Sequence, residues 1–172
     1  MKFSKYKLCV WGPGIVVPML LAGCEKPPQT VALKPFPLTA QIWERWEVET
    51  VTHPGDTLIR AVAVKFEGRN VLNVLEATQI PDNITPDTLI RRVAARKGKL
   101  VRRDSVRYGF GAVFDFSENT GAFGIPGQFH APVYVLNIEN RRYVVEFGLE
   151  YTPDLLDRCL EIIRSIRPAL TS

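Results

Sequence analysis

Val106-Arg107-Tyr108-Gly109-Phe110-Gly111-Ala112-Val113-Phe114-Asp115-Phe116 is the stretch that decides the fold. Val106, Tyr108, Phe110, Ala112, Phe114 and Phe116 take alternate positions, and a period of two places them on one face of a β-strand. Upstream, alternation at Ile42, Trp46 and Val48 is followed by a turn signal, His53-Pro54-Gly55-Asp56, and by an apolar run from Leu58 to Phe66. Glu67-Gly68-Arg69-Asn70 reverses the chain into a further strand from Val71 to Thr78, which extends an antiparallel meander. Downstream, Val133 to Ile138, a turn at Glu139-Asn140, and Tyr143 to Leu149 read as a hairpin.

Two helices punctuate these strands. Thr85-Pro86-Asp87 supplies a hydroxyl cap, a proline where no amide donor is lost and an acid near the positive helix end. Leu89, Ile90, Val93 and Ala94 form the inner stripe, and Gly98 is placed to end it. The same start recurs at Thr152-Pro153-Asp154, before a stripe of Leu155, Leu156, Cys159, Ile162, Ile163 and Ile166 that Pro168 stops. The expectation is an α+β domain over residues 41–172: an antiparallel sheet of about six to seven strands with two helices packed on it, covering one face. Two shared Thr-Pro-Asp starts hint at an internal duplication without establishing a repeat.

The N-terminus follows different rules. Lys2, Lys5 and Lys7 precede a mostly apolar run from Leu8 to Leu21 that ends in small residues and a cysteine, the layout of a secretory signal. The run is shorter than the roughly 20 residues of a membrane span, and Gly12, Pro13, Gly14 and Pro18 interrupt it. Leu21-Ala22-Gly23-Cys24 resembles the lipobox of bacterial lipoproteins, an aliphatic residue and two small residues before cysteine. That resemblance implies removal of residues 1–23 and attachment of diacylglycerol to the Cys24 thiol. The residue after the cysteine is Glu25 and not the aspartate that retains many such proteins in the inner membrane, which implies the periplasmic face of the outer membrane. Multiple acyl chains suffice for stable anchoring. Residues 24–40 hold four prolines and no clear apolar period, so they read as a lipidated tether with a reach of up to about 50 Å, part of which, near Phe36, could lie on the domain.

Charge is distributed unevenly. Residues 91–107 contain Arg91, Arg92, Arg96, Lys97, Lys99, Arg102, Arg103 and Arg107 against Asp104 alone. This asymmetry describes either a solvated helix and edge strand or a basic face for an acidic protein, lipid phosphate or anionic polysaccharide. No nucleic-acid-binding motif is present. Of the three cysteines, Cys9 falls in the signal and Cys24 in the lipobox, which leaves Cys159 without a partner for a disulfide.

Residues able to carry catalysis are few. His53 lies in a turn and His130 follows a glycine-rich loop; Ser105 or Ser117 with Asp115 complete a possible triad only on paper, because geometry defines such a site. Cys159 sits on an apolar helix stripe, where a buried structural thiol is expected. Asp115 to Gly121 has oxygen-bearing side chains at alternate positions, yet Gly121 comes one place late for a calcium loop and Pro126 stands where an acid is needed. The reading is a non-enzymatic protein without metal or cofactor. The loop through Phe123, Ile125 and Phe129, with glycines at 121, 124 and 127, is long for a compact domain and reads as a binding element.

The close of the chain, Ile162-Ile163-Arg164-Ser165-Ile166-Arg167-Pro168, resembles that of PsbP-like lipoproteins and of some immunity lipoproteins of type VI secretion systems, over about 30 residues. That likeness implies a periplasmic binding protein that neutralises a secreted toxin by occlusion. Phe123 and Ile125 would fill a cleft while Arg92, Arg96 and Arg103 pair with carboxylates at its rim. The alternative is a structural or accessory envelope lipoprotein, serving secretion-machine assembly or cell-wall maintenance, whose partner is a resident envelope protein.

Overall fold

Residues 131–136 bury six consecutive side chains, so the strand they form needs cover on both faces. The computed structural model describes residues 26–51, 61–76, 84–117 and 129–169. In chain order the elements are β1 (Gln29–Ala32), β2 (Leu38–Ile42), β3 (Trp46–Val51), β4 (Ala61–Phe66), β5 (Arg69–Glu76), α1 (Pro86–Ala95), β6 (Lys99–Val106), β7 (Gly109–Asp115), β8 (His130–Ile138), β9 (Arg141–Phe147), α2 (Leu156–Ser165) and β10 (Arg167–Pro168). Seven strands form one antiparallel sheet in the order β3-β4-β5-β9-β8-β7-β6, and β1-β2-β10 form a second, smaller one. The α+β expectation holds.

Two hairpins close through residues with positive φ, as right-twisted strands require of a two-residue turn. These are Glu67 (51°) with Gly68 (78°), and Glu139 (50°) with Asn140 (61°). The stretch 106–116 behaves differently from its reading as one strand. The chain turns at Arg107-Tyr108, and Val106 pairs with Gly109. Alternation continues unbroken through a two-residue turn, so periodicity alone does not reveal it. The Arg107 guanidinium lies 5.3 Å from the Tyr108 ring centroid, on a turn without glycine or proline.

Residues 24–40 are corrected as a tether from Gln29 onward. β1 pairs with β2 from Gln29↔Ile42 to Ala32↔Thr39, and β10 adds to β2. Leu33, Phe36, Leu38 and Ala40 are buried in the main core, with the Phe36 ring edge-on to Tyr143 at 5.3 Å. Pro35 and Pro37 shape the connection, closed by Leu33 N–H on the Leu38 carbonyl (2.8 Å) and Phe36 N–H on the Leu33 carbonyl (2.9 Å). Apolar burial outweighs a proline content that reads as linker.

The helices occupy opposite faces of the large sheet, where one face was expected for both. Cross-strand partners share a face, and Arg103, Ala112, Val133 and Glu146 form one row through four strands. Asp87 and Arg96 of the α1 region pair with the two ends of that row. Asp104, Gly111, Tyr134 and Val145 form the adjacent row on the other face, and Arg164 of α2 pairs with Asp104. α2 and the small sheet, joined where the Gln41 N–H donates to Ser165 Oγ (2.8 Å), therefore cover one side and α1 the other. Both faces of β7 and β8 are apolar, so each helix satisfies one of them.

Tyr134 is fully buried and lies across Gly111, where a Cβ would overlap its ring. Its hydroxyl donates to Asp104 Oδ2 (2.8 Å) two strands away. Gly111→Ala is expected to destabilise the protein by about 1–3 kcal/mol through forced displacement of that ring. Val71→Ala, a deletion in the same core, should cost a similar amount without altering Tyr134. Urea unfolding, with near-ultraviolet circular dichroism as the report on Tyr134, separates the two.

Candidate functional site

The basic segment is positioned by a helix with two well-defined ends. At its start the Thr85 and Thr88 side chains exchange bonds with each other's amides (Thr88 N–H to Thr85 Oγ1, 3.3 Å; Thr85 N–H to Thr88 Oγ1, 2.7 Å). At its end Lys97, not Gly98, takes the left-handed conformation (φ 61°). Lys97 N–H bonds the Ala94 carbonyl (2.9 Å) and Gly98 N–H the Val93 carbonyl (3.1 Å). Gly98 serves close packing instead: a Cβ there would stand 2.7 Å from both Phe116 and Val93 side-chain atoms. The chain enters β6 immediately, which brings α1 and β6 into one surface.

The three arginines expected to bind a partner divide into two kinds. Arg103 pairs with Asp87 (2.8 Å) and Arg96 with Glu146 (3.3 Å), so both fasten α1 to the sheet while remaining exposed. Such exposed pairs contribute about 1 kcal/mol or less. Arg92 is exposed and makes no ion pair among the described residues, as are Arg91 and Arg102. Asp104, the one acid of the segment, turns inward, where Tyr134 and Arg164 (2.7 Å) both donate to it. Burial alone would raise the Asp104 carboxyl, but the Arg164 and Tyr134 hydrogen bonds prevail and hold it below the usual range. The outward side of the segment is left with positive charge only.

Leu100 and Val101 complete the surface, and composition gave no sign of them. They are 41% and 46% exposed, and a register shift between Leu100 and Arg102 makes Val101 the extra residue of a bulge. Two exposed apolar residues thus stand between Lys99 and Arg102 along the chain. The only sequence signal was two aliphatic residues inside a charged run.

Asp115, Ser117 and His130 do come together, with Asp115 and His130 as cross-strand partners. The bonding runs against a nucleophilic triad. The Ser117 hydroxyl and amide both donate to Asp115, and Ser117 Oγ accepts the Phe129 amide (2.9 Å). This is a clasp between Asp115-Ser117 and Phe129-His130. The Ser117 bonds hold the Asp115 carboxyl below its ordinary value. Phe129, Phe147 and Tyr151 stack beside the clasp at 5.6–5.9 Å, and the Tyr151 hydroxyl donates to the His130 carbonyl (2.6 Å). Phe129 is therefore part of the core edge. Ser105 lies apart, on β6.

Cys159 is fully buried, and burial pushes its thiol up to about 12, away from the reactive range. Among the described residues no group of His, Cys, Asp or Glu has the arrangement of a metal site. A cleft of ≈ 320 Å³ opens on the α2 side, lined by Glu44, Arg45, Trp46, Phe66, Asp157 and Arg158 among others. Its rings are already stacked by the chain's own cations, Arg45 on Phe66 (5.0 Å) and, beside it, Arg158 on Trp43 (4.4 Å). Cys24, His53, Phe123 and Ile125 lie outside the described residues.

Comparison with protein-family models, with curated proteins and with solved structures finds no match for this chain.

Asp104 governs an acid-unfolding experiment. Its carboxyl is lowered in the folded state, so it adds stability above the unfolded-state value, and that contribution disappears as pH falls through the folded-state value. Asp104→Asn should lower the urea midpoint at neutral pH, and the difference should shrink as pH falls below the ordinary carboxylate range. Parallel curves across that range would show that the carboxylate charge is not involved.

Proposed function

We propose that the chain is a lipid-anchored binding protein of the bacterial cell envelope that neutralises a secreted toxin by covering its active site, the immunity role of type VI secretion systems. The observation that supports it most is the α1–β6 segment: Arg91, Arg92 and Arg102 are exposed and without ion pairs among the described residues, and Leu100 and Val101 are exposed within the same segment. Exposed apolar residues beside cations are features of a protein interface. In this reading the arginines steer an acidic rim of the toxin and fix its orientation, while Leu100 and Val101 exclude water at the centre. Phe123 and Ile125 fill the toxin's cleft. Cys24 carries the lipid and holds the protein at the periplasmic face of the outer membrane, where an incoming toxin acts.

Capture of partners from periplasmic and secreted extracts, followed by assay of the partner's activity, tests this reading. A stoichiometric hydrolase or pore-forming toxin that the protein silences supports it. Resident envelope proteins and no silenced toxin would favour the accessory role. The paired reversal Arg92→Glu and Arg102→Glu should weaken toxin binding by roughly tenfold or more and shift the folding midpoint little, since neither side chain is paired among the described residues. Cys24→Ala should move the protein from the membrane fraction to the soluble periplasm.

A further inference from the structure

β6 is the last strand of the seven-stranded sheet, and among the described residues nothing pairs with its outer side. The orientation of its backbone follows from two bonds further in. Asn137 N–H donates to the Tyr108 carbonyl (2.7 Å) and Phe116 N–H to the Phe129 carbonyl (2.9 Å), which sets even-numbered residues along β7 bonding toward β8. Bonded pairs alternate along an antiparallel ladder, and the two sides of a strand alternate out of step. Gly109 and Gly111 therefore bond toward Val106 and Asp104. The amides and carbonyls of Arg103 and Ser105 are left pointing at the open edge, the Ser105 amide also lying near enough to the Asp104 carboxylate to help hold it.

We infer that this edge takes up an extended acidic segment of the partner as an eighth strand, pairing along Arg102–Val106. The inference rests on the binding role proposed above and gives it a geometry. Three features favour this occupant over another copy of β6. Lys97, Lys99, Arg102, Arg103 and Arg107 flank the edge, so a second copy is repelled and a carboxylate-bearing strand attracted. The bulge at Val101 ends regular pairing at Arg102 and so pins the register of an added strand. The patch of Leu100 and Val101 lies just past that point and covers an apolar residue at the end of the incoming segment. Backbone bonds supply affinity in such strand addition, and side chains supply selection.

The test uses the purified full chain and a short synthetic peptide of alternating Glu and Thr. One control peptide has the same side chains with alternate amides N-methylated, and another has Lys in place of Glu. The acidic peptide should bind at low salt and slow amide exchange at Arg103 and Ser105, while both controls bind at least about tenfold more weakly. Ser105→Pro removes an outward donor without touching the β7 ladder, although the same amide also helps hold the Asp104 carboxylate, so the fold of the variant is checked first. It should cut binding by a similar factor, whereas Ser105→Ala leaves binding unchanged. If Ser105→Pro perturbs folding, the methylated peptide on the unaltered protein still decides. Equal binding of the methylated and unmethylated acidic peptides, or no binding of either, overturns strand addition. A captured toxin that Ser105→Pro, still folded, silences as well as wild type does also overturns it, and leaves the immunity reading in place. Edge binding of the peptide with no toxin silenced retains strand addition and removes the immunity reading.

Discussion

The bond from the Tyr134 hydroxyl to Asp104 sets the terms for much of this structure. A buried phenol needs an acceptor, and the one it finds lies two strands away. To reach it the ring must pass over β7 at a residue without a side chain, which fixes Gly111 opposite Tyr134 and Asp104 opposite Gly111. Register in β6-β7-β8 is thereby determined by chemistry as well as by apolar alternation. Arg164 adds α2 to the same carboxylate, so one oxygen connects the edge of the sheet, its centre and the helix that covers it. Burial pushes the Tyr134 phenol upward and the Asp104 bond adds to this, which keeps the hydroxyl a donor.

The basic surface depends on that arrangement. Had Asp104 turned outward, it would have neutralised part of the edge. Held inside, it leaves Arg102, Arg103 and Arg107 uncontested by acids of their own strand. Asp87 and Glu146 do answer Arg103 and Arg96, but from the other elements that α1 must be fastened to. Structural and outward-looking cations are thus separated by whether a carboxylate of another element answers them among the described residues.

Much of the fold was legible because its signals are local. Glu67-Gly68 and Glu139-Asn140 turn where composition says they turn, and Thr85-Pro86-Asp87 starts a helix. The second Thr-Pro-Asp does so by another route. Three residues after Thr85 stands Thr88, which returns the cap bond, whereas three after Thr152 stands Leu155, which cannot, and a 3-10 turn precedes α2. What stayed hidden was decided by tertiary partners: the turn at Arg107-Tyr108, the burial of Leu33 and Phe36 within a proline-rich run, and the side of the sheet each helix takes. The surface was half legible. Its charge could be counted, but the separation of Arg92 from Arg96 and Arg103, and the exposure of Leu100 and Val101, depend on a bulge and on ion pairs that no spacing encodes.

The early entry of the chain into β1 changes how the molecule would sit in the envelope. From Cys24 to Gln29 there are five residue steps, a span of at most about 18 Å, shorter than the diameter of the domain itself. On the proposed anchoring, the protein is held against the bilayer rather than floating above it. Its first and last strands meet at β2, so one end of the small sheet is turned to the lipid and the domain has little freedom to tumble. On that same proposal a partner would have to approach along the membrane plane, and anionic headgroups would compete for the arginines proposed to bind it.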